Sequence, residues 1–141
     1  MAGCFAIGEL AADTGVKVPT IRYYESIGLM PSADRTASGR RVYDGAALAR
    51  LRFIRHARDL GFEVDAIRTL LRLREQPDRS CAEADAAARH HLANVTEKIV
   101  RLKALKGELE AMIKACRHQT VNECTVIEVI GDHELCRTSQ H

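Results

Sequence analysis

Tryptophan is absent, proline occurs three times, and Phe and Tyr together make up only 4% of the 141 residues. The hydrophobic fraction of 46% therefore comes mainly from Ala, Leu, Val and Ile, a composition that suits helices better than sheets. Long apolar runs are missing too: none approaches the roughly 18 residues that a membrane span needs. The stretch from Met1 to Ile7 has no basic segment leading into an apolar core, so a secretory signal is not expected and the cytoplasm is. Charge of one sign is also scarce, with 21 Lys+Arg against 19 Asp+Glu giving +2, which is not the balance of a histone-like chain. Five cysteines are present, an odd number, so at least one stays unpaired in any monomer. In a reducing compartment they are better read as metal ligands or redox groups than as structural staples. The length allows one domain, or two small ones sharing a long helix.

The small net charge is unevenly distributed. Up to Arg58 there are nine basic residues and five acidic ones, so this zone is +4 and the remainder −2. The same zone holds five of the six aromatics: Phe5, Tyr23, Tyr24, Tyr43 and Phe53. A basic, aromatic-bearing end on a near-neutral chain is expected of a nucleic-acid-binding head, although a small globular end with solvated charges is the plainer reading.

Local pattern sharpens the first reading. Ile7, Leu10 and Ala11 recur at helical spacing, and Thr14-Gly15 stops that helix. Val18-Pro19-Thr20 starts another, with Pro19 in the first turn where a missing N–H costs little. Ile21, Tyr24 and Ile27 form its inward face, leaving Arg22 and Tyr23 free to reach outward. Two short helices joined by a tight glycine turn form a helix-turn-helix, whose second helix enters the major groove. Ser38-Gly39-Arg40-Arg41-Val42-Tyr43 reads as a short hairpin whose arginine tip would meet phosphate or the minor groove. Asp44 can cap a third helix from about Gly45 to Leu60, and a fourth runs from about Val64 to Arg74, ended by Pro77.

Farther on, Ala88, Leu92, Val95, Ile99, Leu102, Lys106, Leu109 and Ile113 step by fours and threes. This is a coiled-coil stripe with Lys106 as its polar break. One helix cannot bury its own stripe, and the head is too small to cover it, so a partner helix is expected. Cys81 and Cys116 lie at the two ends of the same stripe, 35 residues apart. On a continuous helix that is roughly 50 Å. They cannot meet within one chain, but they can meet across a dimer of antiparallel helices, twice by symmetry. Cys116 and Cys124 bracket a polar segment of seven residues that can close on one ion. Thiolates select soft or borderline metals such as Cu(I), Zn, Cd, Hg and Pb. Cysteines at helix ends also serve as small apolar fillers. His118 inside the loop is a candidate fourth ligand, and Cys136 with His133 and His141 could hold a secondary ion. Cys4 is read as incidental. His90 and His91 are read as surface or dimer-packing residues.

The stretches Ile7-Gly8-Glu9-Leu10-Ala11, Thr14-Gly15-Val16, Thr20-Ile21-Arg22-Tyr23-Tyr24-Glu25 and Ile27-Gly28-Leu29 resemble the opening of the MerR family of bacterial transcription regulators. The likeness continues through Pro31, Arg35, Gly39, Arg41 and Tyr43, with Arg40 where that family usually has Tyr. The resemblance implies a mainly α fold: a winged helix-turn-helix head with connecting helices (1–75), a long antiparallel coiled-coil dimerisation helix (80–115), and a metal-binding loop and tail (116–141). It implies a non-enzymatic homodimer on double-stranded promoter DNA, bound between promoter elements whose spacing is too long for RNA polymerase. Effector binding would twist and bend the operator to realign them. Arg22, Tyr23, Arg41 and Tyr43 would be the DNA-binding residues by this likeness, with Lys17 and Thr20 as additions.

Within the family, Cys81 is similar to the divalent-ion branch that senses zinc, cadmium, lead or mercury, whereas the seven-residue loop is similar to the copper branch. A third thiolate favours three- or four-coordination of a divalent ion; two suffice for linear Cu(I). The expectation is therefore a metal-responsive activator holding a divalent soft ion through Cys81 of one subunit and Cys116 and Cys124 of the other. Copper(I) sensing and a thiol redox switch are the alternatives. The Cys-x-x-Cys of a redox switch does not occur.

Overall fold

A computed structural model describes residues 3–116 and 120–137. The elements in chain order are α1 (Ile7–Thr14), α2 (Val18–Ser26), β1 (Asp34–Arg35), β2 (Arg41–Val42), α3 (Gly45–Asp59), α4 (Val64–Arg74), α5 (Ala82–Ala115) and α6 (Thr125–Gly131). Single 3-10 turns at Val121–Glu123 and His133–Leu135 flank α6. The fold is mainly helical with a small two-stranded wing, as the sequence pattern implies. No helix among the described residues is long and apolar enough to cross a membrane. The chain divides into two compact units, Met1–Ala88 and Arg89–His141, with the division falling inside α5.

In the first unit, α1 ends at Gly15, which adopts φ 74° and donates its N–H to the Ala11 carbonyl at 2.9 Å. A side chain there would be strained by the backbone and would also meet the Arg55 guanidinium at 2.9 Å. The sharp turn lets α2 start at once with Pro19 in its first turn. β1 and β2 pair antiparallel with Asp34 opposite Val42 and Arg35 opposite Arg41. Phe5 and Tyr43 exchange backbone hydrogen bonds of 2.7 and 2.8 Å, so the segment before α1 is pinned to the base of the wing. Asp44 caps α3 by accepting from the Ala47 N–H at 2.8 Å.

The core beneath these elements includes the fully buried Leu10, Ile21, Leu29, Met30, Leu51, Ile54 and Ile67. Burial of each such side chain is worth about 1.5–3 kcal/mol. Tyr24 joins this core, as expected from its spacing, while Ile27 is half-buried against it. Leu29 and Met30, just past the end of α2, are buried although no periodic pattern marks them. Arg55 donates to the Thr14 carbonyl at 3.3 Å, Arg50 to the Leu29 carbonyl at 2.8 Å, and Arg68 to the Ile27 carbonyl. Arginines of α3 and α4 thus satisfy carbonyls at the ends of α1 and α2.

Unit two contains most of α5, followed by α6. Glu108 is a buried charged residue there, with 3% of its surface exposed. Leu92, Ile99, Val100, Leu102, Leu109 and Ile113 of α5 are exposed. Thr125 at the start of α6 donates through Oγ1 to the Ala115 carbonyl at 3.2 Å, closing the segment between the two helices.

Candidate nucleic-acid interface and thiol site

The nine basic residues up to Arg58 separate into two sets. Arg52 grips the Asp13 carboxylate through two hydrogen bonds of 2.9 Å, and Arg55 pairs with Asp59 at 3.1 Å. Arg50 and Arg55 hold the helix-end carbonyls described above. Arg58 donates to the Phe62 carbonyl at 3.0 Å, and Arg35 to the Gly39 carbonyl at 2.9 Å. These five serve the fold. Lys17, Arg22, Arg40 and Arg41 are exposed and make no side-chain hydrogen bond or ion pair among the described residues. They cluster on the start of α2, its outer face and the wing. Charge counting could not make this division, because partner choice is a property of the packed head.

The sequence-predicted DNA-binding residues fall into three situations. Lys17, Arg22, Tyr23 and Arg41 are exposed, Tyr23 by 55%. Thr20 is half-buried in the first turn of α2. Tyr43 is buried, with 3% of it exposed, and its hydroxyl donates to Oε1 of Glu25 on α2. It belongs to the buried core, and its hydroxyl bond ties the base of the wing to α2. Burial and the hydrogen-bonded, negatively charged Glu25 push the phenol up to about 12, opposed by the nearby charges of Arg41 and Arg22. Arg40 was not among the expected site residues; a second basic residue at the hairpin tip was the available signal.

At the other end of the chain, Cys116 and Cys124 are both half-buried and flank the segment that the Thr125–Ala115 hydrogen bond closes. No full capping bond forms to the Cys124 side chain. The backbone N–H of Ile127 nonetheless lowers its thiol below the ordinary range, more than desolvation raises it, with smaller help from the Val126 N–H and from Cys116. Two thiols flanking one closed segment, one of them acidified, are a donor set suited to a soft ion. Cys81, at the start of α5, is exposed and borders a groove lined by Phe53, Leu70, Leu73 and Pro77. Among the described residues no group of three or more His, Cys, Asp or Glu side chains gathers within one chain. His118 and His141 lie outside the described residues; Cys136 is half-buried and His133 exposed. His90 is exposed on α5, His91 half-buried, and Cys4 exposed.

Two carboxylate contacts tie the start of α5 to α4 and to the segment between them. Glu83 accepts from Arg72 at 3.0 Å and from Arg79 at 2.6 Å, two residues beyond Cys81.

A winged helix-turn-helix with a free cationic face, carried on a long helix, defines a DNA-binding transcription regulator. The sequence matches the description "MerR HTH family regulatory protein" over residues 5–73 and "MerR, DNA binding" over residues 48–112. It is 37% identical over 126 residues to the Heavy metal-dependent transcription regulator 2 of Rhizobium meliloti (strain 1021), covering 89% of this chain and 86% of that one. The transcription regulator PbrR691 from Ralstonia metallidurans CH34, solved in complex with lead(II), has a similar fold (TM-score 0.75, 38% identity, 89% of this chain and 98% of that one). So does MerR from Bacillus megaterium MB1, solved with mercury(II) (TM-score 0.66, 30% identity, 90% and 99%). The chain belongs to the MerR family of helix-turn-helix transcription regulators, a non-enzymatic family.

Proposed function

We propose that this chain is a homodimeric, metal-responsive activator that binds double-stranded promoter DNA and switches on heavy-metal resistance or efflux genes. The observation that carries this reading is the Thr125–Ala115 hydrogen bond of 3.2 Å, which closes the segment bracketed by Cys116 and Cys124 just beyond one end of α5, while Cys81 stands before the other end. Their thiolates from one subunit, with Cys81 of the partner, would hold a divalent soft ion such as zinc, cadmium, lead or mercury. Bound there, the ion supplies a positive charge that ties three thiolates of two chains together. Lead(II) and mercury(II) in the two related structures support the ion class.

The exposed apolar residues of α5 support the dimer. Leu92, Ile99, Leu102, Leu109 and Ile113 form a stripe that a second α5 would cover. The chain's own residues supply the rest of the mechanism. Lys17, Arg22 and Arg41 neutralise phosphates, with Thr20 and Tyr23 beside them on α2. The Glu83 contacts carry a movement at the start of α5 into α4, and so into the head. Re-angled heads distort the operator, and the promoter elements become aligned for RNA polymerase.

One observation favours a second reading. Cys116 and Cys124 alone are a two-thiolate set, sufficient for linear Cu(I). Transcription from the regulated promoter with a panel of Zn, Cd, Pb, Hg and Cu(I) separates the two. A divalent response lost in Cys81→Ser supports the first reading; a Cu(I)-only response unaffected by Cys81→Ser supports the second. No response to any metal overturns both and leaves the thiol redox switch.

A further inference from the structure

α2 carries the exposed Arg22 and Tyr23, yet it has no basic side chain in its own last turn. A helix C-terminus presents unpaired carbonyls and a partial negative charge, which a cation stabilises. Two arginines of other helices supply that charge. The carbonyl of Ile27, the cap residue of α2, accepts from Nη2 of Arg68 on α4. The carbonyl of Leu29 accepts from Nε of Arg50 on α3 at 2.8 Å. The Arg68 guanidinium also lies along the turn itself, since a Cβ at Gly28 would be 3.7 Å from its Nη1.

The bond from Arg68 is exposed, so water can take its place and its removal costs the fold little. Its importance is in what it connects. Arg68 stands four residues before Arg72 on α4, so the two side chains leave neighbouring turns on one face of that helix. Arg68 reaches the end of α2, and Arg72 reaches Glu83 at the start of α5 at 3.0 Å. One helix thus grips the end of the DNA-facing helix with one arginine and, with the other, a carboxylate two residues beyond Cys81. All of these residues belong to the first compact unit.

We propose that Arg68 is a positioning residue for operator distortion. It passes a movement of α4 to the C-terminal end of α2, and so turns the face that bears Arg22 and Tyr23. This rests on the metal-responsive reading and names the link through which the head follows the ion. The acceptor is a backbone carbonyl, so the link is cut by changing Arg68 alone.

The test uses the full chain, Cd(II), and a plasmid bearing a duplex that the wild-type protein selects from a random-sequence pool. The plasmid is relaxed by topoisomerase with protein bound, with and without Cd(II), and the change in linking number reads the distortion. Arg68→Met keeps the aliphatic stem and removes the donors, Arg68→Gln is too short to reach the carbonyl, and Arg68→Lys keeps a donor. Arg50→Met cuts the neighbouring bond from α3. Arg68→Met and Arg68→Gln are expected to bind metal-free duplex and Cd(II) within about twofold of wild type, as ordinary surface changes do. Both should lose most of the Cd(II)-dependent change in linking number, while Arg68→Lys and Arg50→Met keep it. A full Cd(II)-dependent change in Arg68→Met and Arg68→Gln overturns the proposal. So does an equal loss in Arg50→Met, because any disturbance of the segment would then suffice, and so does loss of metal-free duplex binding in the Arg68 variants. Absence of a Cd(II)-dependent change in the wild type, with duplex still bound, overturns the metal-responsive reading and the role of Arg68 with it.

Discussion

Tyr43 at the base of the wing donates its hydroxyl to Glu25 near the end of α2, joining the two elements that carry the free cations. The bond accounts for a tyrosine that is 3% exposed between Arg41 and the helix bearing Arg22. It makes the spacing between wing and helix a fixed property of the head.

Removing that hydroxyl in Tyr43→Phe leaves Glu25 half-buried without its partner. The head is expected to lose about 1–2 kcal/mol in denaturant unfolding, with weaker DNA binding. The pH dependence has a definite sign. The folded phenol is raised from the ordinary 10.0 to about 12, so the folded state holds the proton more tightly than the unfolded chain. That stabilisation is complete below pH 10 and is lost as pH rises toward 12. The stability gap between wild type and Tyr43→Phe should be flat at neutral pH and close across that window. A gap that stays constant up to pH 12 contradicts the assignment.

In the proposed mechanism Glu83 transmits movement from α5 to α4 rather than holding the fold together. Both of its ion pairs are substantially exposed, so Glu83→Gln should change stability by less than about 1 kcal/mol. Metal affinity, read from thiolate-to-metal absorbance, should stay within about twofold of wild type, an ordinary scatter for a surface change. Metal-dependent transcription should nevertheless fall several-fold, because α4 no longer follows the start of α5. Full induction in the variant removes Glu83 from the pathway.

The stripe on α5 predicts a different failure. Leu102→Asp replaces a residue that is 62% exposed in the single chain, so the isolated fold should tolerate it. In a dimer it removes two buried leucines, each worth about 1.5–3 kcal/mol, and weakens association by roughly a hundredfold or more. Sedimentation at micromolar concentration should show monomers with native helix content. An intact dimer would place the partner surface elsewhere.

Much of this was legible in the sequence because it rests on periodicity and caps. Asp44 caps α3 where its position suggested, α4 spans the expected residues, and α3 stops one residue earlier than expected, at Asp59. α6 was not legible: Thr125–Gly131 is too short to show a helical period, and its Val and Ile residues favour strands. The burial of Tyr43 was not legible, because its hydroxyl partner Glu25 lies 18 positions away in the chain. The division of the arginines was hidden for the same reason. Arg50, Arg52 and Arg55 find partners on α1 and just after α2 only after α3 packs there.

The central claim is that the ion is held between subunits. Cys81→Ser and a Cys116→Ser/Cys124→Ser double variant are co-expressed with different tags, and the mixed dimer is isolated. Each homodimer lacks a complete set of three thiolates. The mixed dimer keeps Cys116 and Cys124 on one chain and Cys81 on the other, so it should rebuild one three-thiolate site. Titration with Cd(II), followed by thiolate absorbance, should give one such site per mixed dimer, two per wild-type dimer and none in either homodimer. Absence of that site from the mixed dimer, with two present in wild type, would contradict the intersubunit assignment.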